Sequence, residues 1–167
     1  MDEETTSLQR ELKQRRPFRS PGLESVIALL RTADLLRRNL LRASEPHGIT
    51  FQQYNVLRIL RGAGEEGLPT LAIGERMVEQ APGVTRLLDR LEAKALVVRC
   101  RGESDRRQVL CWLTSDGRQL LGRLDPEMEG AAEAGVVMLT SEEKIRLLDL
   151  LTAIRAGERS ALDRSNA

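Results

Sequence analysis

The segment LVVRCRGESDRRQVLCWLT, residues 96–114, contains the clearest local signal of secondary structure in the chain. Two runs rich in valine, leucine, cysteine and tryptophan flank a polar segment that contains Gly102, Ser104 and Asp105. The first residue types favour strands, whereas glycine, serine and aspartate favour turns. The pattern therefore predicts a β-hairpin whose tip carries several arginines.

Two short helices are predicted before this hairpin. In GLPTLAIGERM, residues 67–77, the proline suits an edge strand or a turn, so a short strand at about 68–70 should lead into a helix at about 71–77. In VEQAPGVTRLLDRLEAKAL, residues 78–96, Pro82 suits the first turn of a second helix. Two short helices joined by a tight connection predict a helix-turn-helix, and a hairpin after it makes a winged helix.

Longer helices are predicted on both sides of the winged helix. Apolar residues recur at spacings of three and four from Leu23 to about Ser44, which indicates a long helix with a broad apolar face. Helices should begin after Thr50 and after Thr140, because Thr50 with Gln53 and Thr140 with Glu143 have the spacing of a capping box. Residues 114–157 predict two further helices, and Pro126 should kink or break the first of them.

The N-terminal residues have a different composition. Residues 1–22 are polar, and Pro17 and Pro21 should interrupt any helix there, so we predict a mobile arm. Its basic run RRPFRS leaves open a second interpretation, in which the arm touches the DNA backbone.

Composition excludes several classes of protein. With 41% hydrophobic and 31% charged residues among 167, the chain suits a soluble globular domain. It has neither a membrane-length apolar run nor a secretory signal, which predicts a cytoplasmic protein without membrane contact. One histidine, two cysteines and no nucleotide-binding or nucleophile motif predict no metal site, no cofactor and no enzyme. Four aromatic residues are too few for a reader of single-stranded nucleic acid, but residues 80–107 carry seven basic and four acidic residues.

Two blocks carry a family resemblance: ERMVEQAPGVTRLLDRLEAKALVVR, residues 75–99, and DRRQVLCWLTSDG, residues 105–117. They resemble the recognition-helix block and the wing of the MarR family of bacterial transcriptional regulators. The resemblance covers about residues 23–157 and departs from the family at Ala95, where a glycine is usual. That glycine relaxes the turn from helix to strand, so the helix end is expected to differ slightly here.

The resemblance implies a mainly α fold with a small β-hairpin wing, in which long dimerisation helices flank a winged helix-turn-helix. The winged helix is expected at about 50–113, the dimerisation helices at about 23–46 and 114–157, and a C-terminal tail at 158–167. It also implies a homodimer, which explains the broad apolar faces of the terminal helices. The alternative is that these faces close a monomeric bundle.

A dimer of this kind should bind a pseudo-palindromic operator in double-stranded DNA, with the recognition helix in the major groove. Thr85 and Arg86 are predicted to reach base edges and Arg90 a phosphate. On the wing, Arg107 should enter the minor groove with Asp105 holding its guanidinium. The other wing arginines, Arg99, Arg101 and Arg106, should meet phosphates. The full predicted DNA-binding set is Pro82, Gly83, Thr85, Arg86, Arg90, Arg99, Arg101, Asp105, Arg106 and Arg107. The alternative is a solvated helix face and turn.

The sequence says less about how DNA binding is regulated than about how DNA is bound. The resemblance implies a small-molecule effector between the dimer domain and the winged helix, and the candidate lining residues are His47, Phe51, Tyr54 and Arg58. Each of them suits ordinary core or surface equally well. The predicted function is a transcriptional repressor that an effector releases from DNA.

Two alternatives to this function stay open. One is a winged-helix interaction module that does not bind DNA. The other is a thiol redox sensor, because Cys100 faces Cys111 if the hairpin is symmetric about residues 105 and 106.

Overall fold

The structure, a computed structural model, describes residues 6–79, 83–101 and 108–165 of the chain. It divides into two compact units, one up to Ala131 and one from Ala132. The elements in chain order are α1 (Ser7–Glu11), α2 (Pro21–Ser44), α3 (Phe51–Ala63), β1 (Leu68–Pro69), α4 (Thr70–Arg76), α5 (Val84–Glu92), β2 (Val97–Arg101), β3 (Val109–Leu113), α6 (Ser115–Gly135) and α7 (Ser141–Ser165), with 3-10 turns at Glu45–His47 and Gly64–Glu66.

The predicted winged helix is confirmed. Helices α4 and α5 form the helix-turn-helix, and β2 and β3 pair antiparallel as the hairpin. Strand β1 pairs with the other edge of β3, so the sheet order is β1-β3-β2. The hairpin therefore has one outer edge, β2, and is anchored to the domain through β3.

The core explains why these short elements hold together. Helices α3, α4 and α5 and the first part of α6 direct leucine and isoleucine side chains into one cluster. Each such side chain contributes roughly 1.5–3 kcal/mol when it is fully buried. The largest fully buried members of this cluster are Leu57, Leu60, Ile73, Leu88, Leu91, Leu121 and Leu124.

The predicted capping boxes are both present. The Thr50 hydroxyl accepts from the Gln53 amide at 3.2 Å, and the Gln53 side chain accepts from the Thr50 amide at 3.0 Å. Thr140 and Glu143 make the same reciprocal pair, at 3.3 and 2.8 Å. Each box satisfies two amides that a helix start otherwise leaves without partners.

Pro126 lies inside α6, so of the two predicted outcomes, a kink or a break, the break is wrong. The buried Leu124 and Met128 on either side anchor both halves of the helix in the core. Pro126 itself and Gly122, whose carbonyl loses its intrahelical donor, are exposed, so water can replace the missing bond.

The N-terminal arm is more structured than predicted. Thr6 and Gln9 cap α1 reciprocally, the Gln9 side chain is buried, and Glu11 pairs with Arg31 of α2 at 3.0 Å. Pro21 does not disrupt α2, because it occupies the first helical turn after Ser20, where its missing amide costs nothing.

The predicted tail at 158–167 is wrong for most of its length, since α7 continues to Ser165. Residues 158–165 contain no proline or glycine, and arginine, alanine, leucine and glutamate favour helices. No helix in the described part of the chain is both long and apolar enough to cross a membrane.

The turn from α5 into β2 shows what the alanine at position 95 does. The Leu96 amide donates to the Leu91 carbonyl at 3.0 Å, and the Ala95 amide donates to Glu92 at 2.8 Å, which is a Schellman motif. Ala95 adopts φ 56°, a left-handed conformation that suits glycine. The helix thus ends with the geometry expected for glycine, and the alanine is strained.

Replacing Ala95 with glycine should therefore stabilise the protein by about 1 kcal/mol, because relief of the left-handed strain exceeds the entropic cost of glycine. Urea denaturation measures the change. The matched control is Ala93→Gly, two residues earlier at φ −60°, where glycine brings only its entropic cost and stability should fall. Equal destabilisation by both substitutions contradicts this explanation.

Candidate DNA-binding surface

Helix α5 presents a polar face to solvent. Leu88 and Leu91 point into the core, while Thr85, Arg86 and Arg90 are exposed. Because residues three and four apart share a helix face, burial of the two leucines turns the other three side chains outward. This arrangement agrees with the predicted orientation of a recognition helix.

Gly83 precedes α5 as its N-cap residue and has φ 117°. Among the described residues, a Cβ atom at this position meets nothing within 4 Å, so the preference for glycine comes from the backbone conformation.

Two arginines of β2 occupy different environments. Arg101, at the end of the strand, is exposed. Arg99 is mostly buried by its neighbours and lies 2.7 Å from the Asp89 carboxylate and 2.5 Å from the Glu92 carboxylate, both on α5. These hydrogen bonds raise the pKa of Arg99 and lower the pKa of Glu92. Sequence reasoning missed both partners of Arg99.

Four predicted DNA-binding residues, Pro82, Asp105, Arg106 and Arg107, lie outside the described residues. A groove of about 500 Å³ runs between the helix-turn-helix and the hairpin. It brings together Thr85 and Arg99 with residues that the sequence did not single out. The lining is Pro69, Thr70, Leu71, Thr85, Arg99, Gln108 and Val109.

Three of the predicted effector residues, His47, Tyr54 and Arg58, make contacts with α6 or with one another. The ring of Tyr54 is buried with its hydroxyl 2.8 Å from Asp125 of α6, and Arg58 lies over the ring at 5.8 Å. His47 lies 3.0 Å from Glu127, also on α6. These contacts join α3 and the preceding turn to α6.

Phe51 instead lines a small cavity of about 200 Å³ beside the helix-turn-helix. At its rim Glu79, just before the residues that lead into α5, pairs with Arg37 of α2 and accepts a hydrogen bond from Gln52 at 2.9 Å. The Gln52 and Arg37 hydrogen bonds outweigh burial, so the pKa of Glu79 is lowered. The cavity lining is Arg37, Leu41, Thr50, Phe51, Gln52 and Glu79.

The Tyr54 network makes stability depend on pH. Burial and the Asp125 hydrogen bond raise the pKa of Tyr54 to about 12. Burial alone would raise the pKa of Asp125, but hydrogen bonds from Arg61 and Tyr54 lower it overall. A carboxyl whose folded-state pKa is depressed stabilises the fold above its unfolded pKa, and this contribution is lost as pH falls through the folded value.

Asp125→Asn should therefore cost about 1 kcal/mol at pH 7 and should reduce the loss of thermal stability between pH 5 and pH 2. Melting curves across this range measure both effects. Tyr54→Phe removes only one of the two donors, so its profile should lie between those of the wild type and Asp125→Asn. If Asp125→Asn has the same pH dependence of thermal stability as the wild type, Asp125 is not the source of that dependence.

The hairpin register corrects the prediction about the thiols. Cys100 lies opposite Leu110, and Cys111 lies opposite Arg99, so the two cysteines do not face each other. Cys111 is fully buried, whereas Cys100 is exposed on the other face of the sheet. Burial also raises the pKa of the Cys111 thiol, which disfavours the reactive thiolate. A disulfide between these two residues is excluded in this register.

Comparison with known proteins agrees with the fold. The sequence profile described as MarR family matches residues 47–108. The HTH-type transcriptional regulator TtmR of Methylorubrum extorquens (strain PA1) is 40% identical over 111 residues, which cover 65% of this chain and 54% of TtmR. This chain therefore spans about half of the length of that relative.

Two solved structures are similar over most of this chain. BpsR of Bordetella bronchiseptica is 25% identical with a TM-score of 0.71, and the match covers 79% of this chain and 98% of BpsR. A MarR transcription factor from Planctomyces limnophilus is 34% identical with a TM-score of 0.64, and the match covers 82% of this chain and 99% of that protein. Together with the helix-turn-helix, the anchored hairpin and the outward arginines of α5, this similarity shows that the chain belongs to the MarR family of winged helix-turn-helix transcriptional regulators.

Proposed function

We propose that this protein binds a specific double-stranded operator as a homodimer and represses transcription until a small-molecule effector releases it. The observation that carries the proposal is the exposed polar face of α5 beside a hairpin. A repressor of this type acts where the chromosome is, so we place its action in the cytoplasm. The proposal requires no cofactor and no catalytic group.

In this proposal α5 enters the major groove. Thr85 and Arg86, in the first turn, reach base edges, and Arg86 is able to bind the O6 and N7 atoms of a guanine together. Arg90, one turn later, binds a phosphate, as do Arg101 and Arg106. Arg107, oriented by Asp105, enters the minor groove. The first amides of α5, next to Pro82 and Gly83, face a phosphate because a helix N-terminus attracts anions.

Dimerisation is proposed from exposed apolar side chains on the terminal helices. In α2, Val26 and Leu30 are 55% and 64% exposed, and in α7, Ile145 and Leu148 are each 62% exposed. Large exposed apolar surfaces mark interaction sites, and a two-fold dimer sets two recognition helices roughly 34 Å apart. Sedimentation at micromolar concentration should give about twice the chain mass of 18.7 kDa. A single species of 18.7 kDa contradicts the dimer.

An effector is proposed because DNA binding of the related BpsR is regulated by 6-hydroxynicotinic acid. The candidate lining residues remain His47, Phe51, Tyr54 and Arg58, together with the cavity at Phe51. This cavity adjoins Glu79, so a ligand there is positioned to disturb the segment that leads into α5. Titration of the protein–DNA complex with 6-hydroxynicotinic acid is the first probe of this part of the proposal.

A gel-shift titration tests DNA binding. The wild-type protein should bind the DNA upstream of its own gene more tightly than a shuffled duplex of the same composition. Arg86→Ala should weaken specific binding by roughly 1–3 kcal/mol and change the preferred base. Arg146→Ala removes an exposed arginine of α7, outside the winged helix, and serves as the charge-matched control. Equal binding of both duplexes by the wild type favours an interaction module that does not read DNA.

A further inference from the structure

Arg99 makes the most extensive ion-pair cluster between α5 and the hairpin among the described residues. Its Nε atom donates to Glu92 Oε2 at 2.9 Å, and its Nη2 atom lies 2.5 Å from the same oxygen and 2.7 Å from Asp89 Oδ1. The side chain is only 21% exposed. One strand residue thus holds two carboxylates that are three residues apart on the recognition helix.

The direction of the Arg99 side chain follows from the strand register. Its cross-strand partner Cys111 is fully buried, so Arg99 stands on the face of the sheet that is turned toward the core. Its neighbours Val98 and Cys100 stand on the opposite, exposed face. Arg99 therefore points toward α5 and not outward along the hairpin edge.

The charge balance of this cluster argues against a role in phosphate binding. Two carboxylates already compensate the single guanidinium, and a phosphate at the same place adds a third negative group. Arg90 and Arg101 differ, because neither forms an ion pair with a carboxylate in the described part of the chain. The surface thus contains exposed arginines available for DNA and one arginine already occupied by the protein.

We propose that Arg99 is a positioning residue that fixes the orientation of α5 relative to the β2–β3 hairpin, so that both elements fit one half-site of DNA at once. This inference rests on the proposed DNA-binding function. Helix α5 has only nine residues, and its apolar contacts with the core come from Val84, Leu87, Leu88 and Leu91. These contacts are non-directional, so a polar link is needed to fix the rotation of the helix about its axis. The Arg99 bonds near its C-terminal end oppose such a rotation.

A positioning role and a phosphate contact predict different losses of DNA affinity when Arg99 is replaced. Non-specific DNA binding depends almost wholly on phosphate contacts, whereas specific binding also needs base-reading elements in register. Loss of a positioning residue should weaken specific binding and leave non-specific binding and its salt dependence unchanged. Loss of a phosphate contact should weaken both and reduce the salt slope by about 0.9 for each contact.

The experiment uses a duplex that the wild-type protein selects from a random 30-base-pair library, and a shuffled version of it as non-specific DNA. Isotherms at several salt concentrations are measured for Arg99→Gln, Glu92→Gln and the double variant. Arg90→Gln, on the same helix, is the matched control for a phosphate contact. Circular dichroism melts check folding. If the wild type selects no duplex, the proposed function itself fails, which is a different result from any variant effect.

The positioning role predicts that Arg99→Gln and the double variant each lose about tenfold in specific affinity. Their non-specific affinity and salt slope should stay unchanged, and Glu92→Gln should show a smaller loss of specific affinity. Arg90→Gln should lower both affinities. The proposal is overturned if Arg99→Gln behaves like Arg90→Gln or like the wild type. If Arg99→Gln does not fold, Glu92→Gln decides: weaker specific binding supports the proposal, and unchanged or tighter binding overturns it.

Discussion

Replacing Gly117 with alanine should destabilise the protein by about 3 kcal/mol or more, a loss at the upper end for an overpacked core. Gly117 lies in the first turn of α6, directly beside the hairpin. A Cβ atom there would lie 2.4 Å from the Leu96 carbonyl oxygen and 2.5 Å from Leu113 Cδ1. Both neighbours are buried, so neither the backbone oxygen nor the leucine has room to yield. The junction between α5, β3 and α6 must open to accept the methyl group.

The substitution should also weaken DNA binding, because the same junction fixes the position of the hairpin relative to the helix-turn-helix. Thr114 links the two sides of this junction. Its hydroxyl donates to the Ala95 carbonyl at 2.8 Å and accepts from the Gly117 amide at 3.0 Å. The matched control is Gly122→Ala in the same helix, where a Cβ meets no atom within 4 Å. That substitution should stabilise the protein by about 0.5–1 kcal/mol. Chemical denaturation measures both changes. If both variants have wild-type stability, the close packing around Gly117 is contradicted.

Replacing Arg107 with alanine should weaken operator binding by about two to four powers of ten. This prediction rests on the sequence and the family resemblance, since Arg107 lies outside the described residues. A charge-assisted contact in the minor groove is worth roughly 1–3 kcal/mol, and a dimer has two of them. Arg107 follows a turn-like segment that contains Gly102, Ser104 and Asp105, so its side chain should carry little packing and the melting temperature should hardly change.

Asp105→Ala should show a smaller loss in the same direction, because it only orients the arginine. Arg146→Ala again controls for the removal of one positive charge. Binding isotherms at fixed salt, with thermal melting beside them, measure these effects. If Arg107→Ala binds like the wild type, the hairpin is not a DNA-reading wing, and the interaction-module alternative takes precedence.

Much of the fold follows from local patterns in the sequence. The capping boxes at Thr50 and Thr140 and the recognition helix depend on residues within four positions of each other, and the hairpin joins two strands that are neighbours in the sequence. All of these elements form, although the recognition helix begins at Val84, later than the predicted start at Pro82. The outward face of α5 follows equally from the spacing of Leu88 and Leu91. Local periodicity therefore predicts which side chains of a helix are available to a ligand.

The failures are those that depend on long-range packing. In the observed register Cys100 pairs with Leu110 and Cys111 pairs with Arg99, one residue away from the symmetric pairing, so the two cysteines stand on opposite faces. Pro126 is tolerated because the core holds both halves of α6. The partners of Arg99 depend on how closely β2 packs against α5, which no local pattern specifies.

In the proposed mode of binding, a dimer of this chain reads one duplex with two winged helices. A hydroxyl-radical footprint on the DNA upstream of its gene tests this most directly. We predict two protected half-sites related by two-fold symmetry, with centres roughly 10 base pairs apart. Arg86→Ala should remove both half-sites together at protein concentrations that saturate the wild type. Uniform cleavage along the DNA, or one protected segment without a symmetric partner, contradicts binding by a two-fold dimer.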